Sequence, residues 1–331
     1  MDEYRFRPGS DFLGHFRLEP PIAGAELIGV TLGVDSRALC TWLAGTDDGF
    51  DAPPADVAAG HLRPAANPVT VTLQDKEAGV VQVWDIPNPM EGASYRVLPE
   101  GHLFACAYYL TIIEESFRRR AIVYDRNSAI VTMGSLRVEA DDVRTTGDGA
   151  IWVANKAMIF EDFWIPVPGL ERFSADLKLQ WEPDEGLRFS PGPMSVLGDG
   201  VVFFDHEHGA PYLSADESWL ADQPDASGWV LHDPETQRWG FVELEAAGQL
   251  YVTLGWMAFH GRWKPFSKGS IPVPFASPME STHVECDASS IHVWIGQRWY
   301  SLTLSDLFDD SIRSVAPRLP DVAPEEGEPA Q

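Results

Sequence analysis

The sequence predicts an all-β fold made of a repeated unit, and two observations support this prediction. A turn followed by a short apolar strand recurs along the chain, and a hairpin with alternating apolar residues follows several of the copies. The clearest turn-and-strand copies are Gly147–Val153 and Gly198–Phe204, and weaker ones lie at 100–105, 247–252 and 287–294. We therefore expect a single β-propeller, with six four-stranded blades.

The spacing of the repeat fits blades of this kind. When Gly101, Gly149, Gly200, Gly248 and Ser289 are aligned as equivalent, they lie 48, 51, 48 and 41 residues apart. A propeller blade of four strands takes about 40–50 residues. A glycine suits the turn because tight hairpins often need a positive φ. The apolar, aromatic strand after it suits burial between neighbouring sheets.

Hairpins and chain ends complete the predicted ring. Residues 38–42 and the hairpin at 69–86 form another unit with a longer insertion. We expect Phe16–Leu18 to pair beside Trp299–Leu302 and close the last blade, because closure leaves no open sheet edge. The second hairpins of three units are Ala121–Thr132, Gly169–Trp181 and Gly228–Val242.

The middle third of the chain also carries a resemblance. The string DGAIWV, followed later by GLERFSADLKLQWEP, resembles blades of bacterial β-propellers of the regulator-propeller and NHL type. More narrowly, Tyr95–Pro183 is similar to a group of uncharacterised actinobacterial propeller-like proteins. The resemblance implies a fold and no activity, because propellers serve as hydrolases, lyases and binding platforms alike.

Composition limits the function classes. Lys and Arg number 24 against 50 Asp and Glu, which gives a formal net charge of −26, and hydrophobic residues make up 44%. Such a chain can build a core, and its charge disfavours binding to nucleic acid or anionic lipid. The three cysteines show no zinc spacing and fit a reducing compartment. Without a signal peptide or an apolar span, we expect a cytoplasmic protein. Export without a recognisable signal, as an extracellular sensor, is a minor alternative.

The predicted domain organisation is simple. Residues 1–315 form the propeller domain, and residues 316–331 form an acidic, proline-rich flexible tail that cannot bury itself.

The connections between second and third strands are predicted to hold the binding residues. They emerge on one face of a propeller, they vary in length here, and loops carry binding more often than sheets do. Acidic and aromatic residues recur in them, although the aromatics could instead pin the loops and 110–120 could form a short amphipathic helix. The predicted connections are 44–68, 109–120, 155–168 and 207–227.

From these connections we predict a non-catalytic binding platform for a protein partner with a basic surface. Carboxylates would steer the partner and aromatic side chains would anchor it. We expect no cofactor. The carboxylates are Asp47, Asp48, Glu161 and Asp162, and the aromatic anchors are Phe163, Trp164 and Trp219.

The alternative function is a metal-assisted hydrolase or lactonase-like enzyme that uses the central axis. His206 and His208 are two residues apart, so they point to one side of a strand, and Glu207 lies between them. They lack a visible further ligand, and the sequence contains no G-x-S-x-G, Walker or Rossmann motif. We therefore favour the binding platform and expect no bound metal.

Overall fold

β-strands, two short 3-10 helices (Val34–Ser36 and Pro99–Gly101) and an α-helix near the C-terminus make up the regular structure of the residues that a computed structural model describes. Two short strands, β1 (Tyr4–Arg5) and β2 (Phe16–Arg17), begin the chain and join sheets that are formed by its end. The structure describes residues 4–5, 16–44, 67–90, 92–113, 116–137, 140–155, 158–160, 163–165, 169–183, 193–203, 210–214, 218–221, 228–233, 235–244, 250–258, 262–271 and 282–315.

The first three sheets follow one another along the chain as antiparallel meanders. Sheet 1 holds β3 (Glu26–Leu32), β4 (Ala38–Leu43), β5 (Val69–Asp75) and β6 (Gly79–Ile86). Sheet 2 holds β7 (Ser94–Leu98), β8 (His102–Ile113), β9 (Ser116–Tyr124) and β10 (Ile130–Arg137). Sheet 3 begins with β11 (Ala140–Thr145) and β12 (Ile151–Asn155). An inserted hairpin follows, formed by β13 (Met158–Phe160) and β14 (Phe163–Ile165). The sheet ends with β15 (Leu170–Phe173) and β16 (Leu179–Trp181).

The remaining sheets include the two N-terminal strands. Sheet 4 holds β17 (Ser195–Leu197), β18 (Gly200–Val202), β19 (Ala210–Leu213) and β20 (Ser218–Ala221). Sheet 5 holds β21 (Trp229–Asp233), β22 (Arg238–Leu244), β23 (Leu250–Ala258) and β24 (Arg262–Ile271), with β1 paired in parallel outside β24. Sheet 6 holds β25 (Thr282–Cys286), β26 (Ser290–Ile295) and β27 (Arg298–Thr303), with β2 at its outer edge.

The first strand of each meander lies at the centre of the molecule. β3 contacts β7, β7 contacts β11, and the contacts continue through β17, β21 and β25 back to β3. This closed ring of inner strands is the arrangement of a β-propeller, as predicted. The expected count of six four-stranded blades is wrong: five of the described sheets have four strands, and sheet 5 has a fifth strand because β1 adds to it.

The N-terminal strand β2 closes the ring as the sequence predicted. Phe16 lies opposite Trp299 in the antiparallel pair of β2 and β27, and the Leu18 N–H donates to the Gln297 carbonyl at 2.8 Å. The outer strand of sheet 6 therefore comes from the opposite end of the chain to its other three strands, which ties the two ends of the ring together.

Large apolar side chains fill the spaces between neighbouring sheets. Trp84 and Tyr95 are buried between sheets 1 and 2, and Trp42, Trp294 and Trp299 are buried between sheets 6 and 1. Burial of ring surface of this size is a main source of stability in such cores. Trp294 lies in the predicted turn-and-strand copy at 287–294, and its burial confirms the expectation for the aromatic strand after that turn.

The phase of the predicted repeat is wrong in the second half of the chain. Residues 228–242, predicted as a second hairpin, form β21 and β22, the first two strands of sheet 5. The copy at 247–252 leads into β23, which is a third strand. Both errors have one physical reason: the local turn and strand pattern is the same for either hairpin of a blade.

Two predicted connections also differ from the structure. Residues 207–227 contain β19 and β20 rather than one connection, so Trp219 lies in the fourth strand of sheet 4. At 109–120, β8 runs on to Ile113 and β9 starts at Ser116, so this segment is neither a long loop nor a helix. Extension of the paired strands satisfies more backbone hydrogen bonds than a loop would.

The C-terminal helix α1 (Leu304–Val315) packs on sheets 5 and 6. Thr303 and Asp306 form a capping box in which Thr303 Oγ1 accepts from the Asp306 N–H and the Asp306 carboxylate accepts from the Thr303 N–H, both at 3.1 Å. Leu307 and Phe308 are fully buried in the adjoining core.

Candidate functional site

The hairpins between first and second strands gather at one end of the central axis, which we call the hairpin face. Four of them line a common cavity. The hairpin of sheet 2 joins them because the Pro99 ring lies 3.7 Å from the position of a Cβ on Gly149. The hairpin of sheet 5 joins them through the His232 N–H, which donates to the Ala288 carbonyl.

The cavity at the centre of this face has a volume of about 290 Å³, and we call it the axial cavity. Its walls combine aliphatic side chains, glycines without side chains, two arginines and the polar tips of the hairpins. The lining residues are Leu32, Gly33, Asp35, Ser36, Arg96, Arg144, Thr145, Gly147, Val196, Gly198, Cys286, Asp287, Ala288 and Ser289.

Four charged side chains from three inner strands form an axial ion-pair network beneath the cavity. Arg96 comes from β7, Asp142 and Arg144 from β11, and Glu285 from β25. Arg144 Nη1 lies 2.9 Å from Glu285 Oε2, and Arg96 Nη2 lies 3.4 Å from Glu285 Oε1. Arg144 Nε lies 3.2 Å from Asp142 Oδ1. The network therefore joins sheets 2, 3 and 6 across the axis.

Backbone groups extend the axial ion-pair network to further sheets. The Leu32 N–H on β3 donates to Glu285 Oε2 at 2.6 Å. The Met194 N–H, next to β17, donates to Asp142 Oδ2 at 2.9 Å. Both carboxylates thus receive bonds from guanidinium and backbone donors, as buried charges require.

The electrostatics of the network follow from burial and pairing. Burial alone would raise the pKa of Glu285, but the charges of Arg144 and Arg96 and the contact with His283 outweigh it and hold the pKa well below its usual range. Burial alone would lower the pKa of Arg144, but Asp142 and Glu285 raise it above the ordinary value. Glu285 and Arg144 therefore stay charged at neutral pH.

The arginines of the network face the cavity, and their carboxylate partners lie behind them. Arg96 and Arg144 are among the lining residues, whereas Asp142 and Glu285 are not. The ion pairs and hydrogen bonds of Arg144 to the described residues use Nε and Nη1. The floor of the axial cavity is therefore a surface of hydrogen-bond donors.

Asp287 at the mouth of the cavity connects sheet 6 to sheet 1. Its carboxylate accepts from the Ser36 hydroxyl and from His292 Nε2 at 3.1 Å. The indole N–H of Trp299 donates to His292 Nδ1 at 3.1 Å, so the imidazole proton lies on Nε2. Because Ser36 contacts the aspartate rather than His292, the three residues do not form a nucleophilic triad. They join the hairpins where the ring closes.

Every hairpin on this face carries a carboxylate near its tip, and we call the set the tip carboxylates. Five are exposed and Asp287 is half-buried. Asp148 pairs with Arg172 at 2.7 Å, whereas four of the exposed ones take part in no ion pair with the described residues. The tip carboxylates are Asp35, Glu100, Asp148, Asp199, Glu235 and Asp287.

The described lining of the axial cavity includes none of the site residues predicted from sequence. Asp47, Asp48, Glu161 and Asp162 lie outside the described residues, as do His206, Glu207 and His208. The backbones of Phe163 and Trp164 lie in β14, within the predicted insertion between second and third strands of sheet 3, and Trp219 lies in β20.

Sequence reasoning did not select the axial residues. One signal was present: Arg96 is the single charge of the apolar inner strand β7, where a charge needs a buried partner. Cys40, Cys106 and Cys286 form no disulfide, and all three are buried. Burial raises the pKa of the Cys286 thiol well above its usual range, so the thiolate is disfavoured.

Two features were searched for across the part of the chain that the structure describes. There, no group of three or more His, Cys, Asp or Glu side chains is placed to hold a metal ion. No helix there is long and apolar enough to cross a membrane.

Comparisons with known proteins give distant likenesses of fold. No protein-family model matches the chain, and no curated protein matches its sequence. A catalytically inactive virginiamycin B lyase from Staphylococcus aureus is 12% identical, with 88% of this chain and 99% of that chain covered and a TM-score of 0.39. A gluconolactonase of Xanthomonas campestris is 12% identical, with 90% and 98% covered and a TM-score of 0.37.

An uncharacterized protein from Listeria monocytogenes is 10% identical, with 84% of this chain and 77% of that chain covered and a TM-score of 0.43. Likenesses at this level say nothing of what the chain binds or converts. The β-propeller assignment stands on the closed ring of inner strands.

We predict that Glu285→Gln destabilises the chain by about 3–5 kcal/mol, because Arg96 and Arg144 would share one remaining carboxylate in a buried site. Urea denaturation of both proteins measures the change in the free energy of unfolding. Asp176→Asn is the matched control, since Asp176 pairs with Lys178 on an exposed turn and such pairs contribute little. Equal stability of Glu285→Gln and the control would contradict the prediction.

His232 is a second buried titratable group at the hairpin face. Its ring stacks on Trp239 with centroids 4.1 Å apart, and neither ring nitrogen has a hydrogen-bond partner among the described residues. Burial lowers the pKa of His232 below its ordinary value of 6.5, although the charge of Asp233 opposes the shift. The imidazole is therefore neutral in the folded chain.

We predict that His232 makes the folded chain less stable as the pH falls below 6.5. In that range the unfolded chain binds a proton at this side chain more readily than the folded chain does, so the free energy of unfolding decreases as the pH falls. Denaturation of wild type and His232→Phe between pH 7.5 and pH 5 should give a shallower pH dependence for the variant, which keeps the aromatic stack. Identical pH dependences would show that His232 is not responsible.

Proposed function

We propose that the chain is a non-catalytic β-propeller binding platform for a protein with a basic surface. The observation that supports this best is the ring of tip carboxylates around the axial cavity. Asp35, Glu100, Asp199 and Glu235 are exposed and form no ion pair with the described residues. Together with the net charge of −26, they make the hairpin face attractive to cations.

Electrostatics and apolar contact have different roles in such an interface. At physiological ionic strength the attraction reaches about 8 Å, so it raises the association rate more than the lifetime of the complex. A long lifetime requires desolvated apolar or aromatic area. We assign that role to Phe163, Trp164 and Trp219, with Asp47, Asp48, Glu161 and Asp162 as a second steering surface.

The remaining expectations belong to the same proposal. The chain would act in the cytoplasm without a cofactor, nucleic acid or membrane. Its relation to the regulator-propeller and NHL type, and to actinobacterial propeller-like proteins, rests on the resemblance of Tyr95–Pro183. Residues 1–315 would form the propeller domain, and residues 316–331 a flexible tail.

We predict that neutralising the tip carboxylates slows partner association by about tenfold at low salt. The immobilised full chain would first capture the partner from host lysate, and association would then be followed by biolayer interferometry. The test variant combines Glu100→Gln, Asp199→Asn and Glu235→Gln. The control combines Glu26→Gln, Asp85→Asn and Glu182→Gln, which change the net charge equally at exposed sites away from the hairpin tips.

Added salt should remove the difference between the test and control variants, because the attraction is screened. Equal association rates at low salt would contradict the role of the hairpin face.

In the same assay, reversal of Asp47, Asp48, Glu161 and Asp162 to Lys tests the loop surface. The double variant Trp164→Ala and Trp219→Ala should raise the dissociation rate without lowering the melting temperature, and a large fall in melting temperature would make those side chains structural.

The metal-assisted alternative is tested separately. We expect elemental analysis of the purified chain to find no stoichiometric zinc, manganese or calcium. About one metal ion per chain that is lost on His206→Ala with His208→Ala would instead support a metal-assisted hydrolase.

A further inference from the structure

We infer that the axial cavity binds the C-terminal carboxylate of a basic partner segment, an inference that rests on the proposed function and names the part of the partner that enters. It follows from the polarity of the cavity, from its open walls and from the chemistry of a peptide end.

The polarity of the cavity reverses between floor and mouth. Arg96 and Arg144 line the floor with their side chains more than nine-tenths buried, at 8% and 7% exposure. Asp35 and Asp287 lie in the tips of two hairpins at the mouth. A ligand that matches this pattern enters with an anionic acceptor first and keeps its cationic groups at the rim.

Arg144 has donors left for such an acceptor. Arg96 does not offer a free nitrogen, because Nε donates to the Val143 carbonyl, Nη1 to the Tyr95 carbonyl and Nη2 to Glu285 Oε1. A guanidinium carries five N–H groups in a planar fork. The contacts of Arg144 with Asp142 and Glu285 use Nε and Nη1, and no contact with the described residues uses Nη2. A carboxylate oxygen is a suitable acceptor for the Nη2 donors of Arg144, because charge-assisted hydrogen bonds to a guanidinium are stronger than neutral ones.

Glycines in the walls keep the cavity open, although the packing of the fold around position 147 does not require glycine. Gly147 lines the cavity, and a Cβ built on it would meet only Asp199 Oδ1, at 3.5 Å. A Cβ on Gly198 would meet no atom within 4 Å. Packing therefore does not require glycine at position 147, whereas a side chain there would occupy the space that a ligand enters.

A peptide end fits this site better than a free amino acid does. In a free α-amino acid the ammonium and the carboxylate share one carbon, so the ammonium would approach Arg96 and Arg144 together with the carboxylate. The last residue of a peptide carries a neutral amide at that carbon. Lysine or arginine side chains on the preceding residues would then reach tip carboxylates such as Glu100, Asp199 and Glu235.

The test measures binding of fluorescent hexapeptides to the full chain by anisotropy. One peptide carries two lysines before a C-terminal alanine with a free carboxylate, and its partner is the same peptide with a C-terminal amide. We expect the free acid to bind at least about tenfold more tightly, a difference of about 1.4 kcal/mol. Free alanine, added as competitor, should not displace it.

Three variants test whether the preference for the free acid arises in the axial cavity. Gly147→Val places a side chain in the cavity and should abolish the preference for the free acid. Gly198→Asn should reduce the preference, and asparagine is chosen because it tolerates the positive φ of 59° at this position. Gly29→Val is the matched control, because a Cβ at position 29 meets only the Thr41 side chain, at 3.7 Å and 3.8 Å, outside the cavity. It should keep the preference, and melting temperatures verify that each variant folds.

Three results would overturn the inference: equal binding of acid and amide, a preference that survives Gly147→Val, or displacement by free alanine. Suppose that the acid and the amide bind equally, and that the variant with Glu100→Gln, Asp199→Asn and Glu235→Gln binds both peptides more weakly. The proposed function would then stand, and only this inference would be overturned. Failure of both peptides to bind, together with partner association that is unaffected by that variant, would remove both.

Discussion

The structure depends on how four buried charges are satisfied at the centre of a ring. Arg96, Arg144, Asp142 and Glu285 come from three inner strands, and backbone N–H groups of Leu32 and Met194 complete their shells. Charges removed from water cost several kcal/mol each unless they are paired and hydrogen-bonded. The inner strands must therefore keep one register and one spacing, because a slip of any of them would leave a buried charge without its partner.

The contacts that close the ring also form part of the candidate site. Asp287 holds the hairpin of sheet 6 to Ser36 of sheet 1, and it continues through His292 to Trp299, which lies opposite Phe16 in the closing pair of strands. The carboxylate at the cavity mouth is thus part of the closure that brings the chain ends together. A cavity with donors at its floor and a carboxylate at its mouth follows from a ring that closes around buried arginines.

Sequence predicts the parts of this architecture that are local. The turn glycines, the alternation of apolar residues and the 48- to 51-residue spacing indicate the propeller, and Gly101 and Gly149 have the positive φ values that their turns require. The prediction takes the first hairpin of sheet 5 for a second hairpin, because β21–β22 has the same local pattern as β9–β10. The axial pairs are not local at all: Arg96 and Glu285 are 189 residues apart, and neither position carries a signal of the other.

Turn chemistry explains some of the acidic residues on the hairpin face and leaves others without a structural reason. Asp148 Oδ1 accepts from the Ala150 N–H at 3.1 Å, and Asp287 Oδ1 accepts from the Ser290 N–H at 2.7 Å, as aspartates in tight turns commonly do. Those two carboxylates would be retained for folding alone. The tip carboxylates that make no such bond with the described residues have no role in these turns, and in the proposed function they attract a cationic partner. These carboxylates are Asp35, Glu100, Asp199 and Glu235.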